Sequence, residues 1–288
     1  MTERLLICTD LDRTLIPNGP QSESPAARER FTALVGHPEV TLAYVSGRHR
    51  ALIERAIVNY RLPLPDFVIG DVGTTIYRVG PEQLWQKQTA WEDEIAKDWG
   101  DKSHADLKAL SMDIPSLRPQ ERTKQNDYKL SYYVPMHSDR NALSAMIDAR
   151  LKASGITARL IWSVDEPAGI GLLDILPQRA SKYHAVEALM HWHDFSYSNT
   201  VFCGDSGNDI EVLISPIPSV LVANSQAHVY ELAIKLANEN GHADQLYIAK
   251  GGFHGMNGNY AAGILEGIAH YHPHTLAWMG FAETGQRV

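Results

Sequence analysis

Two apolar runs that each stop on carboxylates constrain this chain more than any other feature. Leu5-Leu6-Ile7-Cys8 leads into Asp10-Leu11-Asp12-Arg13-Thr14, and Val201-Phe202-Cys203 leads into Gly204-Asp205-Ser206-Gly207-Asn208-Asp209. Short, continuous apolar runs suit strands buried on both faces, as in a parallel sheet covered by helices. In such sheets ligands bind beyond the carboxyl ends of the strands. Unpaired carboxylates near a core are costly. A divalent cation gives several of them a reason to converge, and magnesium prefers a few carboxylate oxygens together with substrate phosphate. The pattern therefore points to magnesium-dependent phosphoryl transfer.

The bulk properties exclude other classes. The 288 residues allow one large domain, or one with a smaller companion, and a net charge of −8 offers no attraction to nucleic acid or to an anionic membrane. No apolar stretch approaches the ~20 residues that cross a bilayer. The first strand begins within a few residues of Met1, which leaves no room for a signal peptide, and a cytoplasmic location is expected. Cys8 and Cys203, the only cysteines, read as reduced strand residues; a redox pair would require their strands to be neighbours.

Strand and helix signals alternate at both ends of the chain. Strand 5–9, a helix over 25–35, strand 40–45 ending at Ser46-Gly47-Arg48, a helix over 50–59 and strand 67–69 form the first half of an α/β domain. The rhythm resumes with helix 183–192, strand 201–204, strand 219–223 and a helix over 260–270. Between them lie a helical stretch over 90–110, a strand over 128–134, a helix capped by Ser138 and ending near Gly155, and strands at 156–162 and 169–176. This reads as an α+β unit, residues 81–176, inserted into a core of residues 1–80 and 177–288, with hinges at Gly80-Pro81 and Leu176-Pro177.

Four elements recur in a fixed order: Asp10-x-Asp12-x-Thr14, Ser46-Gly47-Arg48, Lys182, and Gly204-Asp205-x-Gly-Asn208-Asp209. As a set they resemble the haloacid dehalogenase (HAD) superfamily of aspartate-nucleophile phosphotransferases. The resemblance implies a Rossmann-like HAD core with a parallel sheet, and gives the insert the place of a C2-type cap that selects substrate. It also implies that Asp10 attacks phosphorus and that Asp12 protonates the leaving oxygen and then takes a proton from water. Lys182 and Mg2+ would offset the charge. Asp10, Asp12 (through its carbonyl), Asp205 and Asp209 would hold the metal, and Thr14, Ser46, Gly47, Arg48, Asn208 and Lys129 would contact phosphate or sugar. Tyr183 follows Lys182 where many relatives have glycine.

Gly73-Thr-Thr-Ile-Tyr77, Lys129-Leu-Ser-Tyr-Tyr133, Leu173-Asp-Ile-Leu-Pro-Gln-Arg179 and Cys203–Asp209 resemble the sucrose-6-phosphate phosphatase family in particular. That implies a disaccharide phosphate as substrate, sucrose 6-phosphate first and mannosylfructose phosphate as the related alternative, with the matching sugar-phosphate synthase as an implied partner. A phosphomutase and a silent sugar-phosphate binder share the scaffold. Lys129, Ser131 and Tyr133 alternate along the cap strand and suit a hydroxyl-rich ligand, and Arg179 is a further candidate contact. His191 and His193 splay apart on a helix and do not form a metal site. The glycine-rich segment 251–259 lacks the Walker pairing and reads as a loop beside the substrate mouth.

Overall fold

The computed structural model describes residues 4–80, 82, 84–165 and 168–281. Its larger sheet runs edge to edge through β12 (Leu246–Ile248), β11 (Ser219–Leu221), β10 (Thr200–Gly204), β1 (Leu5–Thr9), β2 (Val40–Val45), β3 (Phe67–Gly70), β4 (Thr75–Val79) and β5 (Trp85–Lys87). The first six are mutually parallel, and β4 and β5 add an antiparallel edge. Strand order reverses at β1, whose neighbours are β10 and β2, so Asp10 emerges at the switch point where such sheets bind ligands.

Alternation along each strand sorts side chains into two cores. Leu5 and Ile7 pack with α1 (Ala27–Val35), α2 (Arg50–Tyr60) and α9 (Ala261–Tyr271), while Leu6 and Cys8 pack with α6 (Lys182–Trp192) on the other face. Burying each such aliphatic side chain contributes roughly 1.5–3 kcal/mol, which explains why β1 carries no polar residue until Thr9 and why β10 is apolar between Thr200 and its carboxyl end. The two cysteines do lie on neighbouring strands, with Cys203 opposite Thr9. Cys8 and Cys203 nevertheless belong to the cores on opposite faces, so the sheet itself separates the two free thiols.

The second, smaller sheet is antiparallel, in the order β6 (Arg118–Pro119), β7 (Leu130–Val134), β9 (Ile170–Pro177) and β8 (Ala158–Asp165). Leu130, Tyr132, Val134, Leu173 and Ile175 cover one face of it with α4 (His104–Ser111) and α5 (Arg140–Ala153). Ser131 and Asp174 are register partners on the other face, which turns toward the large sheet.

Three local expectations need correction. The helix expected over 90–110 is two helices, α3 (Thr89–Ala96) and α4, because Gly100 adopts φ 62° and Ser103 starts a new helix with a capping box to Asp106. The cap of α5 is Asp139, whose Oδ1 accepts from the amides of Asn141 and Ala142, rather than Ser138. The chain also stays with the large sheet beyond residue 81: Trp85–Lys87 pairs with β4, and Trp91 and Ile95 of α3 pack in the large core. Trp99 is the first side chain to join the small core, and on the return Ile175 belongs to the small core and Leu176 to the large one. Pro81, expected in a hinge, lies outside the described residues.

Candidate active site

The ends of β1 and β10 bring three carboxylates together. Asp10, Asp205 and Asp209 are buried, and one oxygen from each lies within 4.8 Å of the others. Between them sits Lys182 at the first position of α6, held there by the Ser181 cap. Its Nζ donates to Asp209 Oδ1 at 2.7 Å and to Asn208 Oδ1 at 2.9 Å, and lies 3.2 Å from Asp10 Oδ1. At 2% exposure, Lys182 is a buried counter-charge rather than a solvated helix residue. Burial lowers its pKa, but Asp10 and Asp209 outweigh that and hold it above the ordinary value. Burial pushes the Asp10 carboxyl well up, against the pull of Lys182 and with the repulsion of Asp209 and Asp205. Burial and Asp209 likewise push Asp205 up to about 7, opposed by Arg13.

The loop after β10 is built around Asp209. Its Oδ2 accepts from the amides of Asp205 and Ser206 at 3.1 and 3.0 Å, leaving Oδ1 for Lys182. Gly204 makes this possible: a Cβ there would fall 2.6 Å from the Asp209 carboxyl carbon. Thr14 Oγ1 donates to Asp205 Oδ1 at 3.2 Å, so this hydroxyl orients a carboxylate. Arg13, for which the sequence suggested no role, puts Nε 3.6 Å from Asp205 Oδ2 and lines the cavity. Its carbonyl is held by Asn224, whose Oδ1 in turn accepts from the Tyr260 amide.

Asp12 does not join the acidic cluster by its side chain. Arg48 grips its carboxylate with Nε–Oδ2 at 2.6 Å and Nη2–Oδ1 at 2.5 Å, and Asn18 Nδ2 donates to Oδ1 at 2.6 Å. Burial acts to raise its pKa, but the Arg48 and Asn18 bonds prevail and hold it below the usual carboxylate value. Asp12 is thus held as a carboxylate by Arg48 and Asn18, and Arg48 must turn away before that carboxylate is free for another partner. Ser46 is fully buried; its Oγ accepts from the Arg48 amide at 3.2 Å and does not cap α2, whose N-cap is His49.

These groups floor a cavity of about 1260 Å3. Asp10, Asp12, Gly47, Arg48, Lys182, Asp205 and Asn208 line it from the large sheet, while Lys129, Arg159, Ile161, Ser163, Leu172 and Asp174 line it from the small one. Thr14, Ser46 and Asp209 stand behind that wall. Lys129, just ahead of β7, is buried 3.7 Å from Asp71 Oδ1 and 3.9 Å from Asp174 Oδ2. Ser131 is spent on Asp174, and Tyr133 on Lys124 and Glu121. Arg159, which no sequence signal marked, forks onto Glu211 of α7 (Ile210–Leu213) at 2.7 and 3.2 Å and bridges the two sheets across the cavity. Arg179 is not at the site: it pairs with Glu94 and Asp98. The 251–259 loop also stands away from the cavity, with Asn257 and Asn259 bound to Ser22 and Ser24.

Gly73 adopts φ 98°, and a Cβ there would lie 2.4 Å from the Ser181 carbonyl carbon and oxygen, directly before Lys182. Gly73→Ala therefore has to force the 71–73 turn and the start of α6 apart, which disturbs the backbone that places Lys182. The expected result is a loss of about 2 kcal/mol or more of stability and a fall in kcat on the order of a hundredfold, read by thermal melting and steady-state kinetics.

A family model for sucrose-6F-phosphate phosphohydrolase matches residues 3–272. A protein of Nitrosococcus oceani named only as a HAD-like hydrolase is 54% identical over 99% of this chain and 76% of its own length. The mannosylfructose-phosphate phosphatase of Agrobacterium fabrum is 29% identical over 92% of this chain and 96% of its own. Among solved structures, the sucrose-phosphatase of Synechocystis in complex with sucrose and phosphate superposes with a TM-score of 0.73 at 27% identity, covering 93% of this chain and 98% of that one. Carboxylates gathered at a sheet switch point, a buried lysine among them and a second sheet over the cavity suit the activity that the Agrobacterium and Synechocystis proteins carry in their names, a phosphatase acting on a sugar phosphate. The chain belongs to the sucrose-6F-phosphate phosphohydrolase family of the HAD superfamily and is a sugar-phosphate phosphatase, a phosphoric monoester hydrolase.

Proposed function

We propose that the protein is a magnesium-dependent phosphatase of a disaccharide phosphate, sucrose 6-phosphate foremost, acting through an aspartyl-phosphate on Asp10. One observation carries the reading: the Asp10 carboxylate stands at the floor of the cavity beside both Lys182 and the Asp205–Asp209 pair, with the second sheet opposite. Asp10 supplies the attacking oxygen. Lys182 holds that carboxylate in line and offsets charge on the transferring phosphoryl group. Asp12 exchanges the proton with leaving oxygen and water once Arg48 turns to the phosphate, and Asn208 and the Gly47 backbone bound the same space. The unit from about residue 98 to 176 serves as the cap; Lys129, Asp174 and Arg159 face the sugar from it.

The donor set suits a hard dication. Asp10, Asp205 and Asp209 offer oxygens only, and Lys182 and Arg13 leave one of the three charges unmatched. Mg2+ held there, with the Asp12 carbonyl as a further ligand, would draw phosphate oxygens toward Asp10 and stabilise their charge. Chelation is expected to abolish phosphate release, and added Mg2+ to restore it. Because the Asp205 carboxyl sits at about 7, cation binding displaces a proton below that pH. The Mg2+ concentration for half-maximal rate is then expected to rise by up to about tenfold per unit of pH below 7. Full activity after chelation would refute the metal's role.

A phosphate-release panel of sucrose 6-phosphate, mannosylfructose phosphate, trehalose 6-phosphate and hexose phosphates tests the substrate. The highest kcat/KM is expected for sucrose 6-phosphate. The similarity to the Agrobacterium enzyme supports mannosylfructose phosphate as the second reading. Isomerised sugar phosphate without free phosphate would make the protein a mutase, and binding without turnover a silent binder. Among the described residues no helix is long and apolar enough to cross a membrane. Buried reduced cysteines support a cytoplasmic site of action, where a sugar-phosphate synthase would supply the substrate.

A further inference from the structure

The turn after β3 is under backbone strain, and its contacts reach three parts of the site. Asp71, Val72 and Gly73 adopt φ values of 50°, 62° and 98° in succession. Left-handed backbone is rare for a β-branched residue such as Val72 and persists where the surroundings over-determine it. The surroundings are the site itself. The Asp71 amide donates to the Arg48 carbonyl at 2.9 Å and the Val72 amide to the Ser46 carbonyl at 3.2 Å, so the turn fixes the loop that carries Ser46, Gly47 and Arg48. Gly73 lies against Ser181 and the amide of Lys182, closer than any side chain would allow.

The third neighbour is the cap. Lys129, buried at the edge of the small sheet, faces the Asp71 carboxylate at 3.7 Å, and Asn126 Nδ2 donates to Thr74 Oγ1 at 2.9 Å. Lys129 also faces Asp174, which Ser131 holds from β7. One carboxylate on the large sheet thus meets a cation on the small one, and its own backbone holds the Arg48 loop while the next residues abut Lys182.

We infer that Asp71 is a positioning residue: by pairing with Lys129 it couples the seat of the cap to the placement of Arg48 and Lys182. It touches no reacting atom. A ligand that holds Lys129 in this pair keeps the 71–73 turn settled, and the turn sets the two cations of the phosphoryl centre. The sugar end of a substrate then contributes to turnover, not only to binding. This inference rests on the sugar-phosphate reading but is indifferent to which sugar is used.

The test compares Asp71→Asn, Lys129→Met and the double variant with wild type. Each is assayed on the sugar phosphate that wild type turns over best and on p-nitrophenyl phosphate, which has no sugar hydroxyls to offer the cap. Wild-type turnover of the panel tests the substrate reading by itself; the ratios among variants test the coupling. Asp71→Asn is expected to lower kcat for the sugar phosphate about tenfold, with a smaller change for p-nitrophenyl phosphate. In the Lys129→Met background, Asp71→Asn is expected to lower it less than about twofold further. Equal loss on both substrates with a lowered melting temperature would show a merely structural role and overturn the inference. So would a full second loss in the Lys129→Met background, or a change confined to KM.

Discussion

Asp10→Asn is expected to abolish phosphate release, by at least about ten-thousand-fold in kcat, while the protein melts higher than wild type in metal-free buffer at pH 7. The two effects have one cause. The carboxylate is buried beside Asp205 and Asp209, and its pKa is pushed well up by that burial despite Lys182. A carboxyl whose folded pKa is raised costs stability when ionised, and the cost grows as pH climbs from the unfolded value toward the folded one. Asparagine keeps the shape, removes the charge and supplies no nucleophile. A gain of about 1 kcal/mol corresponds to roughly 2–4 °C for a chain of this size. The difference is expected to shrink on adding Mg2+, since the wild-type carboxylate then gains a cation. Near-normal turnover in Asp10→Asn would remove the nucleophile from Asp10, and a lower melting temperature would contradict the electrostatic account.

Lys182→Met is expected to be as inactive and, in contrast, less stable by about 3–5 kcal/mol. Methionine fits the volume, but Asp10 and Asp209 then lose the ammonium that lies 3.2 and 2.7 Å away and is as buried as they are. Breaking a buried ion pair by removing one partner leaves an uncompensated charge, which is the costly case. Asn208 Oδ1 also loses one of its two donors, keeping only the Ser206 hydroxyl. Divalent cation is expected to recover part of the stability without recovering turnover, because the dication can replace the charge but not the lysine's placement on the phosphate. Denaturant unfolding with and without Mg2+ measures this. An unchanged midpoint in metal-free buffer would show that Lys182 is not the counter-charge that holds the acidic cluster.

Much of this site was legible because its residues lie on elements with strong local signals. Asp10, Asp205 and Lys182 each follow or begin an element whose apolar pattern is unambiguous, and the sheet's switch point brings them together. Pairs between side chains remote in sequence left no such signal. Arg48 and Asp12 are 36 positions apart and Arg159 and Glu211 are 52 apart, and nothing in one segment announces its partner. Lys129 was marked for the ligand, yet its pairing with Asp71 depends on how the small sheet seats on the large one. Short strands such as β5 and β12, at the edges of the large sheet, are too brief for periodicity to speak, and their burial is mixed or partial. The helix over Ala227–Glu239 does carry a period, with Val229, Ala233 and Ala237 buried at spacings of four, though alanine is a weak apolar marker. The break at Gly100–Ser103 was written in the turn and capping residues, where the surrounding helical pattern masked it.

The central claim is a phosphoryl group carried on Asp10. Wild-type protein turning over its best sugar phosphate in Mg2+ is quenched within a few turnovers, reduced with borohydride, digested and sequenced by mass spectrometry. An acyl phosphate at residue 10 is reduced to homoserine, so the account predicts homoserine at position 10, dependent on substrate and absent from Asp10→Asn. A phosphoryl group or its reduction product recovered on any other side chain would contradict it.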